Sequence, residues 1–257
     1  MKRLLSTIFF KVLFTWIRVK ESFYRFRNKN KKKILIYTDS RGHEITRLKN
    51  KHNPFSSYAN YFIKNYNTTT QICPEKHTTL YDFLYFMKYN KSHYDYVISH
   101  TGVVCFAPRP YTQGQDVVKL KKEKIVDLFG EEIYNQILQF EGYPEKYLGE
   151  KTTAIVPEFM VDLISQELNK IPNLIWIACN PVVDGWLGNY NKPRPENLGI
   201  VSEKSKKVIQ NLKNVKVVDI TNWTESEIKK YTCDNVHLTI DGMRFLEQKI
   251  TEFFTSF

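Results

Sequence analysis

From residue 34 to the end of the chain, short apolar segments alternate with longer amphipathic ones, and this alternation restricts the fold more than any other feature. Strands are expected near 34–38, 69–73, 95–101, 173–179 and 214–219, with helices near 55–66, 78–90, 154–170, 197–212 and 240–255. Strands separated by helices of this length build a parallel sheet covered on both faces. The expected fold class is α/β, a doubly wound, mainly parallel five-stranded sheet with helices on both faces, plus an N-terminal amphipathic helix. At 257 residues the chain can bury a full core in one such domain and still carry an appendage. Residues 34–257 are read as that domain. The charge-rich stretch at about 110–152, expected to be helical around 117–139, is an insertion between the third and fourth strands.

The net charge of +11 suggests a nucleic-acid partner until it is located. Residues 1–33 hold eleven Lys or Arg and one acid, Glu21, so the remaining 224 residues carry only +1. Within this arm Leu4, Leu5, Ile8, Phe9, Val12, Leu13, Trp16, Ile17 and Val19 recur at helical spacing, while Lys11, Thr15, Arg18, Ser22 and Arg25 form a polar stripe. Apolar bulk on one side and cations on the other suit an anionic membrane surface, each cation adding about 1 kcal/mol. Residues 1–33 are therefore expected to hold the protein peripherally on the cytoplasmic, inner face of a membrane, with Lys29–Lys33 as a polybasic anchor or, alternatively, a solvated linker. A helix packing on a partner or on itself is an alternative, as is a processed or spanning segment; Lys11 interrupts the apolar run and no small-residue cleavage site follows Trp16. Nucleic acid is not an expected partner, because the rest of the chain supplies no basic groove or motif. Cys73, Cys105, Cys179 and Cys233 form no Cys-x-x-Cys pair and read as buried thiols, with Cys105 and Cys233 near enough to the candidate motifs to line a site.

Two short motifs near opposite ends of the domain point to chemistry. Thr38-Asp39-Ser40-Arg41 ends the first strand, and Asp234-x-x-His237 precedes the last helix. A serine hydroxyl becomes a nucleophile when an imidazole takes its proton, and the imidazole needs a carboxylate to fix its tautomer. Ser40 is the expected nucleophile, His237 the general base and Asp234 its orienting acid. In a doubly wound sheet ligands bind beyond the carboxyl ends of the strands. Ser40, Gly102, Asn180 and the 234–237 turn all follow such ends.

These two motifs resemble those of the SGNH/GDSL hydrolase superfamily, which carries its nucleophile in a Gly-Asp-Ser block after strand one and an Asp-x-x-His block before the C-terminal helix. The resemblance implies a flavodoxin-like architecture and a serine esterase or acyltransferase that needs no metal and no cofactor. Thr38 stands where the family usually has Gly, and Val104 where Gly102-Val103-Val104-Cys105 would carry the Asn that donates to the oxyanion. No Gly matches the second block in Cys73–Thr79. The remaining oxyanion or substrate candidates are Asp39, Gly102, the Ser40 backbone N–H, Thr78, Thr79, Arg109, Asn180 and Trp186. The run from Gly102 to Arg109 looks like a divergent branch seen among proteins of surface-polysaccharide biosynthesis.

The loop 181–196, with Trp186, Tyr190, Pro193 and Arg194, suits a sugar, although each aromatic can equally pack the loop onto the sheet. His43 could line the pocket or cap a helix, and His100 could face the core or the site; His52, His77 and His93 read as peripheral. The expected function is an esterase or O-acyltransferase acting on an acyl, most simply acetyl, ester of a cell-surface glycan. The alternative is a membrane-associated glycan-binding or scaffold protein that kept the fold without the chemistry.

Overall fold

The computed structural model describes residues 2–42, 56–190 and 193–255, with the side chains of 2–11, 13 and 255 outside that description. His43 and His52 also lie outside the described residues.

The architecture is α/β. Strands β1 (Lys33–Thr38), β2 (Asn67–Ile72), β3 (Tyr96–His100), β7 (Leu174–Ile177) and β8 (Lys216–Val218) form a five-stranded sheet in the order β2-β1-β3-β7-β8. Every pairing in it is parallel. Ile34, Leu35 and Ile36 of β1, and Leu174 to Ile177 of β7, are fully shielded from water, as a central strand covered on both faces requires. Helices α2 (Tyr58–Asn65) and α11 (Ile240–Thr255) pack together on one face, and α3 (Leu80–Tyr89), α8 (Val161–Asn169) and α9 (Ile200–Asn211) form a contiguous layer on the other. The chain reverses its direction of travel across the sheet between β1 and β3. Ser40 follows β1 and Gly102 follows β3, so both sit at the topological switch point where such sheets hold ligands.

Differences from the sequence reading are local. The helix expected from 154 begins at Val161, because Pro157 opens a single 3-10 turn over Glu158–Met160 before it. A short helix α4 (Val103–Phe106) follows Gly102. The insertion breaks into three helices, α5 (Tyr111–Leu120), α6 (Lys122–Phe129) and α7 (Glu131–Gln139). Beyond them β5 (Tyr143–Tyr147) and β6 (Glu150–Thr153) form a hairpin that pairs with β4 (Arg109–Pro110) in a second, antiparallel sheet. Leu148 and Gly149 both adopt positive φ, 53° and 88°, the conformation a two-residue hairpin turn requires. Lys204 on α9 fastens this hairpin: its Nζ donates to the Val156 carbonyl at 2.6 Å and to Tyr143 Oη at 2.8 Å. One more helix, α10 (Glu225–Tyr231), precedes α11. The N-terminal helix α1 (Lys2–Arg27) lies along the open edge of the sheet beside β2 and α2.

Candidate active site

The turn after β1 is built on a buried ion pair. The Asp39 N–H donates to the His100 carbonyl at the end of β3, and the Asp39 carboxylate accepts from the Arg41 backbone N–H and from its guanidinium at 3.0 to 3.3 Å. Asp39 and Arg41 are 1% and 2% exposed. Burial works against the Arg41 charge, but the adjoining Asp39 carboxylate outweighs it and raises the guanidinium above its usual range. The pair locks residues 40–42 into one 3-10 turn and leaves Ser40 half-exposed at the sheet's carboxyl edge.

His237 comes to Ser40 from the far end of the chain. Ser40 Oγ lies 3.1 Å from His237 Nε2, and His237 Nδ1 lies 2.9 Å from Asp234 Oδ2. With Nδ1 facing a carboxylate, the neutral ring carries its proton there, and Nε2 accepts from the serine. The other Asp234 oxygen accepts the N–H groups of Val236 and His237 at 3.1 and 2.8 Å, so the carboxylate orients both the ring and its backbone. Asp234 is fully buried. Burial alone would raise its pKa; the hydrogen bond and charge of His237, the His237 N–H and the nearby Arg194 outweigh that and bring it down to about 2.

Two residues support this turn: Asn235, which the sequence reading did not single out, and Arg194, which it read in the loop suited to a sugar. Asn235 holds φ +67° and spans to the loop after β7: its Oδ1 accepts the Val183 N–H, and its Nδ2 donates to the Val183 and Trp186 carbonyls. Arg194 donates from Nη2 to the Asp234 carbonyl at 3.0 Å, approaches Oδ2 at 3.4 Å, and stacks over Tyr190 with 3.6 Å to the ring centroid. Gly188 closes the loop against this turn; with φ +54°, an added Cβ would lie 2.1 Å from the Cys233 carbonyl oxygen.

The other sequence candidates fall into different roles. Gly102 has φ +138°, and a Cβ there would meet Cys179 Sγ at 3.2 Å, so it is a close-approach glycine between β3 and β7. Thr79 is no oxyanion donor, contrary to the sequence expectation. It caps α3, with its N–H and hydroxyl both donating to Asp82, which spends both of its hydrogens. The Thr78 hydroxyl donates to the Glu75 carbonyl, bracing its own loop. Asn180 uses its amide hydrogens on the Pro181 and Asn235 carbonyls, so it ties two loops together. Asp39 likewise belongs to the ion pair. Arg109 keeps a donor in reserve: Nη2 donates to the Val104 carbonyl, while Nε is buried without a partner among the described residues. Trp186 lines a cleft of about 490 Å³ with Val183, Asp184, Arg194, Glu196 and Asn235, directly behind the Asp234 turn.

His100 faces the core, with Nδ1 3.0 Å from Tyr58 Oη, and burial keeps its ring neutral by pushing its pKa well below the usual value. His77 is half-buried and His93 exposed. Trp223 packs against Tyr231 and Phe245 in the core. Cys105, Cys179 and Cys233 are buried, and burial pushes the Cys105 thiol up to about 12. Among the described residues no three His, Cys, Asp or Glu side chains gather as a metal site.

No family model and no curated protein sequence matches the chain. Solved structures similar to it include an acetyl xylan esterase at 14% identity and TM-score 0.47, over 86% of this chain and 98% of that one. Others are a lipase/acylhydrolase from Enterococcus faecalis (14%, 0.42, over 86% and 94%) and a member of the lipolytic G-D-S-L family from Veillonella parvula (14%, 0.42, over 88% and 99%). At that identity and with TM-scores below 0.5, these likenesses carry no weight for the chemistry, which stands on the distances within the site.

Proposed function

We propose that the protein is a serine ester hydrolase or O-acyltransferase acting on an acyl ester, most simply an acetyl group, of a glycan. The observation that carries the chemistry is the hydrogen-bonded run from Ser40 Oγ through His237 to the buried Asp234. Ser40 Oγ attacks the acyl carbonyl as its proton passes to His237 Nε2. His237 returns that proton to the departing sugar oxygen, leaving an acyl-serine. Water or a second hydroxyl then attacks that ester as His237 Nε2 takes its proton, and the bond to Ser40 Oγ breaks with that proton passing to the serine, which gives hydrolysis or transfer from one machinery. The Ser40 N–H and Arg109 Nε, which has no partner among the described residues, are the candidate donors to the oxyanion. The glycan part of the proposal is supported by the cleft that combines Trp186 with Asp184, Arg194 and Glu196, apolar faces beside polar groups.

A binding protein of the same fold is the second reading, favoured by Val104 in the oxyanion position and by the spent donors of Thr79. The test is acetate release from aryl acetates and O-acetylated glycans, with and without a sugar acceptor, beside Ser40→Ala and His237→Ala. Activity abolished in both variants supports the proposal. Wild-type turnover no faster than Ser40→Ala under every condition leaves the binding protein.

A further inference from the structure

The described apolar side chains of α1 are divided between two opposite faces. One face is docked on the domain. Ile17 is buried with Ile63, with Phe14 and Tyr24 packed beside them. Lys20 Nζ donates to Asn60 Oδ1 at 2.6 Å, the Glu21 carboxylate accepts the Thr70 N–H and hydroxyl, and Asn28 Nδ2 donates to the carbonyls of Lys64 and Tyr66. On the other face Val12, Trp16, Val19, Phe23 and Phe26 are 55% to 78% exposed. Spaced alternately by four and three, they fall in one stripe roughly 80° wide on a helix of 3.6 residues per turn. Five more large apolar side chains are exposed among the described residues, on other elements. A continuous exposed apolar stripe marks an interaction surface.

A four-three stripe fits either a second copy of the helix or a lipid surface. Charge decides between them. Glu21 is the one acid in residues 1–33, and it is turned inward onto Thr70, with Arg25 Nη1 3.7 Å away. Arg18, Arg25 and Arg27 are exposed. Two such helices face to face would bring cations together with no acid to pair with them, whereas anionic headgroups supply the missing charge. Lys31 and Lys32 reach back to the Asn65 and Phe254 carbonyls, so the outward charge belongs to the helix itself more than to the lysine run after it.

We infer that α1 seats the protein on an anionic bilayer through the Val12–Phe26 stripe, as a fixed face of the domain and not as a loose tether. The orientation follows. Asn28 lies at the start of β2 and Glu21 beside Thr70 further along it, so α1 runs antiparallel to β2. Residues 2–16 therefore extend past the carboxyl end of the sheet, the end that holds Ser40 and His237. An interfacial helix lies in the plane of the bilayer. The strands then run along the surface with β2 and β1 nearest to it, and the mouth of the site opens along the membrane. Its substrate is an ester displayed at a lipid surface; this last step rests on the proposed chemistry, while the seating does not.

The test is sedimentation of the full chain with phosphatidylcholine vesicles with and without phosphatidylglycerol. The protein is expected to pellet with the anionic vesicles, more weakly at high salt, and to bind pure phosphatidylcholine poorly. Trp16→Ser with Phe23→Ser is expected to weaken binding by roughly 100-fold or more, and Arg18→Glu with Arg27→Glu to weaken it on anionic vesicles alone. Both variants should melt like wild type, since the substituted side chains are exposed. Ser40→Ala should pellet like wild type, which separates loss of chemistry from loss of seating. Failure of the wild type to pellet, binding unchanged in both variants, or a solution dimer that the Trp16/Phe23 variant dissociates would overturn the inference.

Discussion

The two ends of the hydrogen-bonded run from Ser40 to Asp234 are held by different means. Ser40 stands at the end of β1, a strand paired on both sides, on a turn fixed by the buried Asp39–Arg41 ion pair. His237 stands on a turn held largely by side chains: Asp234 on its own backbone, Asn235 and Asn180 on the loop after β7, and Arg194 on the Asp234 carbonyl. Ser40 is thus positioned by the sheet, and His237 by the loop that also lines the cleft. Changes in the loop after β7 should reach His237 and leave Ser40 where it is.

The comparison is sharpest where the two ends meet. Removing either partner, in Ser40→Ala or His237→Ala, is expected to lower turnover by roughly 10,000-fold or more, measured on an aryl acetate. Similar losses at both ends show one unit; a large loss at one alone breaks it. The next effect is on stability. Arg41→Met strands the Asp39 charge in the core and is expected to cost about 3–5 kcal/mol in urea unfolding.

A smaller effect depends on pH. The folded-state pKa of Asp234, about 2, lies below its ordinary value of 3.8, so its stabilising contribution is present above about pH 4 and is lost as pH falls towards 2. Roughly 2 kcal/mol is involved. The stability advantage of wild type over Asp234→Asn should shrink through that window, and an advantage constant from pH 5 to 2 would contradict it. Smallest is Arg194→Gln, expected to lower kcat about tenfold with little change in melting temperature, and with partial recovery in Arg194→Lys. If it instead destabilises the protein as much as Arg41→Met does, the distinction between the two ends fails.

The parallel sheet was legible because its central strands are apolar runs that only a doubly covered sheet can bury. The β5–β6 hairpin was not: Tyr143-Pro144-Glu145-Lys146-Tyr147 lacks apolar alternation, and its turn is Leu-Gly with no Asn or Asp. The role of Arg41 was hidden because an arginine beside a serine at a strand end reads as surface, and its burial depends on packing between distant segments. Thr79 is a different case. Thr79-Leu80-Tyr81-Asp82 has the spacing of a capping box, and that signal competes with, and wins over, the oxyanion role the sequence suggested. Ser40, Asp234 and His237 could be named early because two local motifs carried them. Asn235 and Arg194 act through contacts across some fifty and forty residues respectively, which no local motif records.

The most direct test of the central claim is mass-spectrometric mapping of a fluorophosphonate after its reaction with the full-length protein. Modification of Ser40 in wild type and its absence in His237→Ala is the predicted result, because the hydroxyl is reactive only when the imidazole takes its proton. No modification, modification at another residue, or equal labelling of Ser40 without His237 would contradict the account.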